Sequence, residues 1–427
     1  MKKTRIFAII LVIIVLYNGC TPANRAETIS EHDVGVVDTN ISEAITSNGT
    51  GEILRNTTAV YNEGLSEKAL YPELDIQEDE GNGKVAYYLS PSVYRHNIPQ
   101  IEEFIRREPN RFIYNLFPVN SDYDLNLDVL DEFVNKGIEI IENPDVKTFF
   151  MYYTPLAIDL FEKIKESRPD ILIIVVGRIN DKFTNDIDIT LAFDELGMIK
   201  KEVVQAKNMG VETFFYISNS SVPLNSENDD LENLKETILK EESKSLGIKY
   251  IRIPPIQDSM GPEGDISHLI KTHGKNISIF APTHNYPEWL IRLPIKYDYI
   301  FIQQDDTYPV YSDLAYYLRI ENNILTNYLN DYTQLRNQLK EKLTEHAQPG
   351  RYAILSAPFN VVSITAAIEY GLEYGNGNTS SKVDIEVLRK SFDKALAIHG
   401  FADAGYELNQ DTECDNRFLF TTDYIVY

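Results

Sequence analysis

"VKTFFMYYTPLAIDLFEKIKESRPDILIIVVG", Val146 to Gly177, carries a strand, a helix and a second strand in one short stretch. The first eight residues are rich in β-formers, and residues 156–166 place apolar side chains at helical spacing. Ile171 to Val176 is then six apolar residues in a row, closed by Gly177. A short strand with no polar alternation is buried on both faces. That is the habit of parallel sheets with helices above and below.

The same rhythm extends in both directions. Upstream lie "KVAYYLS" with a predicted helix at 98–107, and "RFIYNLF" with one at 126–136. Downstream come "DIDITLAF" and a helix at 195–208, "ETFFYIS" and a helix at 231–245, and "IKYIRI" and a helix at 266–272. "ISIFAPT" with a helix at 287–293, then "YDYIFIQ", complete the alternation, and 316–343 reads as one long helical run. About ten strands are more than one core holds comfortably. The expected fold class is α/β, with two Rossmann-like lobes of parallel sheet. The first lobe is expected at 84–194 with part of 310–375, the second at 195–309 with part of 376–427.

The N-terminus reads differently. Lys2, Lys3 and Arg5 precede an apolar run from Ile6 to Leu16, followed by Gly19-Cys20, which is the pattern of a secretory signal over 1–19. The run is too short to span a bilayer as a helix, which takes roughly 20 residues. Gly19-Cys20 resembles the end of a bacterial lipobox, in which the cysteine is acylated, with palmitate among the expected chains. Tyr17 and Asn18 depart from that pattern, and an ordinary cleaved signal is the alternative. Residues 21–83 hold 13 Asp/Glu against 3 Lys/Arg, with no Phe or Trp. Such a segment cannot bury enough apolar area to offset its ordering entropy. An acidic, disordered tether is expected over 20–83, with a short helix near 52–61 as the one candidate element.

Charge excludes partners. The formal net charge is −25, so the chain lacks the basic stripe that a phosphate backbone requires and no nucleic acid is expected. Attachment to a membrane would rest on acyl chains, since anionic headgroups repel such a surface.

In open parallel sheets, ligands bind beyond the carboxyl ends of the strands. Ser90 and Ser92 follow the first strand, Tyr153 the third and Arg178 the fourth. Ser218 and Asn219 follow "TFFYI"; His284, Asn285 and Tyr286 follow "ISIFAP"; Gln303, Gln304, Asp305 and Asp306 follow "YIFI". Hydroxyls, amides, an arginine, a histidine and acids with aromatic walls describe a polar cleft. Taken singly, each is also an ordinary helix cap or loop residue. No phosphate loop, no Gly-rich dinucleotide turn, no serine elbow and no H-E-x-x-H occur. His268 and His273 are spaced five apart, poor for one helix face, so neither a metal nor a cofactor is expected, and the chain does not read as an enzyme.

From about residue 84 to 374 the chain resembles the type I periplasmic binding proteins, two Rossmann-like lobes joined by three crossovers. "FAPTHN" stands where that superfamily has a Phe-Ala-x-Asn-Asp ligand strand, and "FIQQDDT" where a ligand-bonding Asp closes a later one. "RPDILII", "AKNMGVETFFYIS", "SLGIKY" and "GKNISIFAPTHN" further resemble an uncharacterised family of bacterial lipoproteins akin to solute-binding lipoproteins, with "GRYAILSAPF" a weaker match. Relatives carry Pro-His where this chain has Arg178-Ile179-Asn180, and Pro-Arg-His where it has Asn219-Ser220-Ser221. Framework segments match and pocket segments differ.

The resemblance implies a monomeric, lipid-anchored, extracytoplasmic solute-binding protein that serves a permease or a sensor. Its two lobes would close over a small polar ligand, a sugar or nucleoside before others. A surface lipoprotein acting through protein contacts is the rival from another class. A hydrolase using His284 and the acids is a third.

Overall fold

The computed structural model describes residues 83–89, 107, 110–116, 127–154, 157–177, 185–217, 227–254, 262–281, 288–304, 310–320, 332–346, 349–412 and 414–427. The signal, nearly all of the tether and the predicted helix at 98–106 lie outside them.

The first sheet is built from β1 (Lys84–Leu89), β2 (Phe112–Leu116), β3 (Val146–Tyr152), β4 (Leu172–Val176) and β5 (Ile189–Phe193). Helices α1 (Leu127–Glu142) and α2 (Ile158–Ser167) make the returns on either side of β3. The spatial order is β2-β1-β3-β4-β5, all parallel. That is one of the two common doubly wound orders.

After β5 the chain enters α3 (Glu195–Asn208) and builds a second sheet. Its elements are β6 (Thr213–Ile217), α4 (Glu227–Ser245), β7 (Lys249–Ile253), α5 (Pro262–His273), β8 (Ile277–Phe280) and α6 (Glu288–Tyr297). Then come β9 (Phe301–Ile302), α7 (Val310–Tyr317), α8 (Tyr332–Glu345) and β10 (Tyr352–Leu355). The strands run β7-β6-β8 and β9-β10, again parallel. The Ile300 N–H donates to the Ile277 carbonyl at 3.0 Å, which carries β8 on to β9. The second half therefore repeats the order 2-1-3-4-5.

The chain then returns. Helix α9 (Phe359–Gly375) packs on β1, β3 and β4, and α10 (Ile385–Ile398) packs on α9. Strand β11 (Tyr406–Gln410) is antiparallel to β12 (Arg417–Thr422), which joins β5 in parallel. Finally β13 (Tyr424–Val426) adds antiparallel to β10 of the second sheet. Two Rossmann-like lobes and three crossings give the α/β architecture the sequence pattern implied.

Side-chain parity explains the layers. In β4 all five residues are buried. Leu172, Ile174 and Val176 join the core shared with α9, while Ile173 and Val175 join the core shared with α1 and α2. β1 divides likewise, Val85 and Tyr87 one way, Ala86 and Tyr88 the other, and the Tyr88 hydroxyl donates to the Phe133 carbonyl at 2.9 Å.

The long helical run expected over 316–343 is not one helix. Helix α7 stops at Tyr317, and Arg319 has φ +54°, a left-handed conformation that ends a helix. The apolar spacing of 332–343 belongs to α8, which buries Leu335, Leu339 and Leu343.

"RPDILII" proves to be framework. The Arg168 guanidinium donates to the Ile141 carbonyl (2.7 Å), the Asn143 carbonyl (3.3 Å) and the Val146 carbonyl (3.0 Å), closing the end of α1 onto β3. Its Nε, and the Nη2 that also reaches Val146, grip Asp170 with two bonds of 2.9 Å. That hydrogen bonding, helped by Lys147, holds the Asp170 carboxyl well below the usual carboxylate range. A depressed carboxylate stabilises the fold above its unfolded pKa, about 3.9, and loses that contribution as pH falls through the folded value. Asp170→Asn is therefore expected to lower the urea midpoint at pH 7. It should also flatten the loss of stability below about pH 4, read from midpoints measured between pH 7 and pH 2.

α9 approaches the sheet closely because of Gly371. A Cβ there would lie 2.9 Å from Thr148 Cγ2 and 3.0 Å from Val85 Cγ2. Neither β-branched neighbour can turn aside within a strand. Gly371→Ala should cost about 1–3 kcal/mol by overpacking, despite the better helix propensity of alanine, as measured by chemical denaturation.

Candidate functional site

Each crossing between the lobes leaves the carboxyl end of a strand. β5 ends at Phe193 and α3 begins at Glu195; β10 ends at Leu355 and α9 begins at Phe359; β12 ends at Thr422 and β13 begins at Tyr424. The crossings are so short that the carboxyl edges of both sheets must adjoin them. They also lie side by side. The Asp194 N–H donates to the Phe420 carbonyl (2.9 Å), and the Ser356 N–H to the Asp423 carbonyl (2.8 Å). The Ser356 and Thr422 hydroxyls are 2.7 Å apart. Phe359 packs tilted between Phe193 and Phe420, with ring centroids at 5.9 and 5.7 Å.

The edge beside these crossings is the candidate site. In the first lobe the chain leaves Leu89, Tyr152 and Val176 on three adjacent parallel strands. In the second it leaves Ile217, Ala281 and Gln304 on three more. Of the residues singled out from sequence, Tyr153 is described: its N–H donates to the Val176 carbonyl at 2.8 Å, and its half-buried ring packs on the core under α1 and α2. Burial raises its hydroxyl pKa, so it stays a neutral donor at physiological pH. Ser90, Ser92, Arg178, Ser218, Asn219, His284, Asn285, Tyr286, Asp305 and Asp306 lie outside the described residues, each just past a strand end that borders this edge.

The structure adds residues that sequence reasoning passed over. Tyr152 has the opposite parity to Tyr153 and turns towards α9, where its hydroxyl donates to Asn360 Oδ1 at 2.5 Å. Tyr87 lies on the same face, fully buried, and its hydroxyl has no hydrogen-bond partner among the described residues. Burial first, and then the neighbouring Tyr152, raise its pKa far above the ordinary phenol value. Helix α9 starts beside them with Pro358 at its N-cap and no side-chain cap. A helix start at a strand edge presents N–H groups and a partial positive charge to whatever polar group sits there. Gly177, at φ +116°, lets the chain leave β4 against Tyr153 Cβ, 3.4 Å from where a Cβ would be. The signal for Asn360 was a strand, "YAIL", followed at once by a Pro-led helix. Among the described residues no group of three His, Cys, Asp or Glu side chains could hold a metal ion.

The strand end at β9 is different. Gln303 and Gln304 look from sequence like part of the polar edge, yet both are buried and serve the sheet. Gln304 Nε2 donates to the Ile279 carbonyl (2.6 Å), and its Oε1 accepts from the Ala281 N–H (3.0 Å). On the other side, Gln303 Oε1 accepts from the Leu355 N–H at 3.0 Å. A carboxamide carries the same donor and acceptor as a peptide, so two side chains prolong a two-residue strand in both directions.

A family model described as "Protein of unknown function (DUF3798)" matches residues 129–353 of this 427-residue chain. The chain belongs to that family. The DUF3798 match runs from α1 through β10 and so takes in strands of both sheets. A crystal structure of a candidate transcriptional regulator from Clostridium difficile 630 is similar over 82% of this chain and 100% of its own, with a TM-score of 0.66 and 19% identity. At that identity the likeness is one of fold. A sugar ABC transport substrate-binding protein from Bordetella parapertussis 12822 aligns over 83% of this chain and 92% of its own, with 12% identity and a TM-score of 0.43. A carbohydrate transporter solute-binding protein from Agrobacterium Radiobacter, in complex with D-arabinose, aligns over 70% and 90%, with 11% identity and a TM-score of 0.36. No curated protein matches the chain in sequence.

Replacing Gln304 by Leu should strand the Ile279 carbonyl and the Ala281 N–H in the core. The expected loss is about 2–4 kcal/mol in urea unfolding without any ligand present. A residue serving only a ligand would leave that stability unchanged.

Proposed function

We propose that this DUF3798 chain is a solute-binding protein, closing two lobes over a small polar ligand at the shared carboxyl edges. The observation that carries the reading is the strand order 2-1-3-4-5 followed in both lobes, with three short crossings that all leave from carboxyl ends. Such a layout puts the carboxyl ends of the strands of both lobes, with the starts of α3 and α9, around one gap. Closure would be a hinge motion selected by a ligand that touches both lobes only when they are shut. Asn360 and Tyr152 join the proposed ligand groups Ser90, Ser92, Tyr153, Arg178, Ser218, Asn219, His284, Asn285, Tyr286, Asp305 and Asp306. Hydroxyls, amides and tyrosines favour a sugar or nucleoside. The lipid at Cys20, the tether and a position outside the cytoplasm, beside a permease or sensor, belong to the same proposal and rest on the N-terminal sequence.

The test is a thermal-shift screen of sugars, nucleosides and amino acids, with native mass spectrometry of the purified protein for co-purified small molecules. A ligand at 100 times its Kd should add about 2.7 kcal/mol, and Asn360→Ala should remove much of the shift. A folded protein that binds none of these, and carries no small molecule from its host, overturns the reading. Incorporation of labelled palmitate that disappears in Cys20→Ser tests the anchor separately.

A further inference from the structure

The lobes also touch at the end of α10. Helix α10 of the first lobe ends in a Schellman turn: the Gly400 N–H donates to the Ala397 carbonyl and the Phe401 N–H to the Leu396 carbonyl. Gly400 has φ +74°, which aims the next residue away from its own helix. Phe401 then enters the second lobe. Its ring is fully buried, 4.7 Å from the Tyr332 ring at the start of α8 and 6.5 Å from the Tyr311 ring on α7.

Polar groups fix the same contact from outside. The Tyr332 N–H donates to the His399 carbonyl at 3.0 Å. Arg336 donates to the Gly400 carbonyl (2.9 Å) and grips both oxygens of Asp403 (2.9 and 2.8 Å), while its guanidinium lies 5.7 Å from the Phe401 centroid. The far end of the turn is tied to the third crossing, since the Gly405 carbonyl accepts from the Asp423 N–H (3.0 Å) and the Thr422 hydroxyl (3.2 Å). On the second-lobe side, the Tyr311 hydroxyl donates to the Leu355 carbonyl, where the second crossing starts, at 2.9 Å.

We infer that the 399–405 turn, with Phe401 seated between Tyr311, Tyr332 and Arg336, is a fourth bearing of the hinge that limits how far the lobes separate. Three strand-like links alone permit bending and twisting in several directions. A buried aromatic and a forked Arg–carboxylate pair on one side of those links resist every rotation that draws α8 away from α10. The remaining freedom is a rocking about the line through the crossings and this seat. The inference stands on the fold and is independent of which ligand, if any, the cleft takes.

Spin labels on Glu139→Cys in α1 and Glu241→Cys in α4, both exposed, report the lobe separation by pulsed dipolar spectroscopy. The background is the chain from residue 20 with Cys20→Ser and Cys414→Ser. The parent should give one narrow distance distribution. Phe401→Ala, Arg336→Gln and Asp403→Asn should each broaden it and shift its mean. Asp411→Asn removes an ion pair internal to the β11–β12 hairpin (3.1 Å to Arg417) and should leave the distribution unchanged. Should Phe401→Ala fail to fold, Asp403→Asn decides, because its side chain is 69% exposed and its loss leaves the core intact. Distributions that superimpose on the parent in folded bearing variants, or an equal broadening in Asp411→Asn, overturn the inference.

Discussion

Chain direction is the constraint on which this molecule turns. A parallel strand delivers the backbone to the same edge every time, so a chain that changes sheets directly from strand ends must bring those edges together. Here it does so after β5, β10 and β12, with at most three residues between one element and the next. No long linker is available to separate the lobes. The helix starts of α3 and α9 are placed at that junction by the same geometry, and so are the Ser356–Thr422 hydroxyl pair and the Phe193–Phe359–Phe420 cluster. The meeting of the two carboxyl edges is thus a consequence of connectivity before any side chain is considered.

Polar groups inside such a framework have to be told apart from those offered to a ligand. Gln303 and Gln304 sit where sequence alone suggests chemistry and are consumed by backbone, and Arg168 serves the framework in the same way. Arg168 collects three carbonyls at the join of α1 and β3. The glutamines supply the hydrogen bonds that a strand of two residues cannot. Burial makes the two glutamine assignments firm, because an amide in the core that lost its partners would cost several times what a surface one would. Tyr87 stands apart from them, buried with its hydroxyl unsatisfied by the described residues, and it lies beside the Tyr152–Asn360 bond at the edge where the lobes meet.

The fold was legible because each strand is a dense apolar word between helical periods. "ILIIVV" could be nothing but a strand buried on both faces, and residues 195–208 read as a helix and are one. The returns to the first lobe were less visible: β11 has only Leu408 buried among Glu, Asn and Gln, as an exposed edge strand does, and its pairing with β12 is non-local. The error over 316–343 has the same origin, since helical spacing persists across a left-handed residue that sequence does not announce. At the candidate site, Tyr152 and Tyr153 are adjacent in sequence and opposite in direction, and choosing between them requires knowing which face α9 covers. Asn360 was hidden because its partner lies 208 residues away.

The hinge links these levels. Where a binding-competent arrangement is only fractionally populated, apparent affinity falls by that fraction. A bearing that restricts lobe separation raises the fraction of molecules already near closure, and it does so with residues that touch no ligand. Phe401 and Arg336 are suited to that task because their contacts are short-ranged: an aromatic seat and a forked ion pair lose their energy within a small displacement. This seat is built from a helix cap and two helix starts, apart from the strand-end residues proposed to meet a ligand. On the proposed function, ligand choice and hinge amplitude are then set by different parts of the chain, and either can change without disturbing the other.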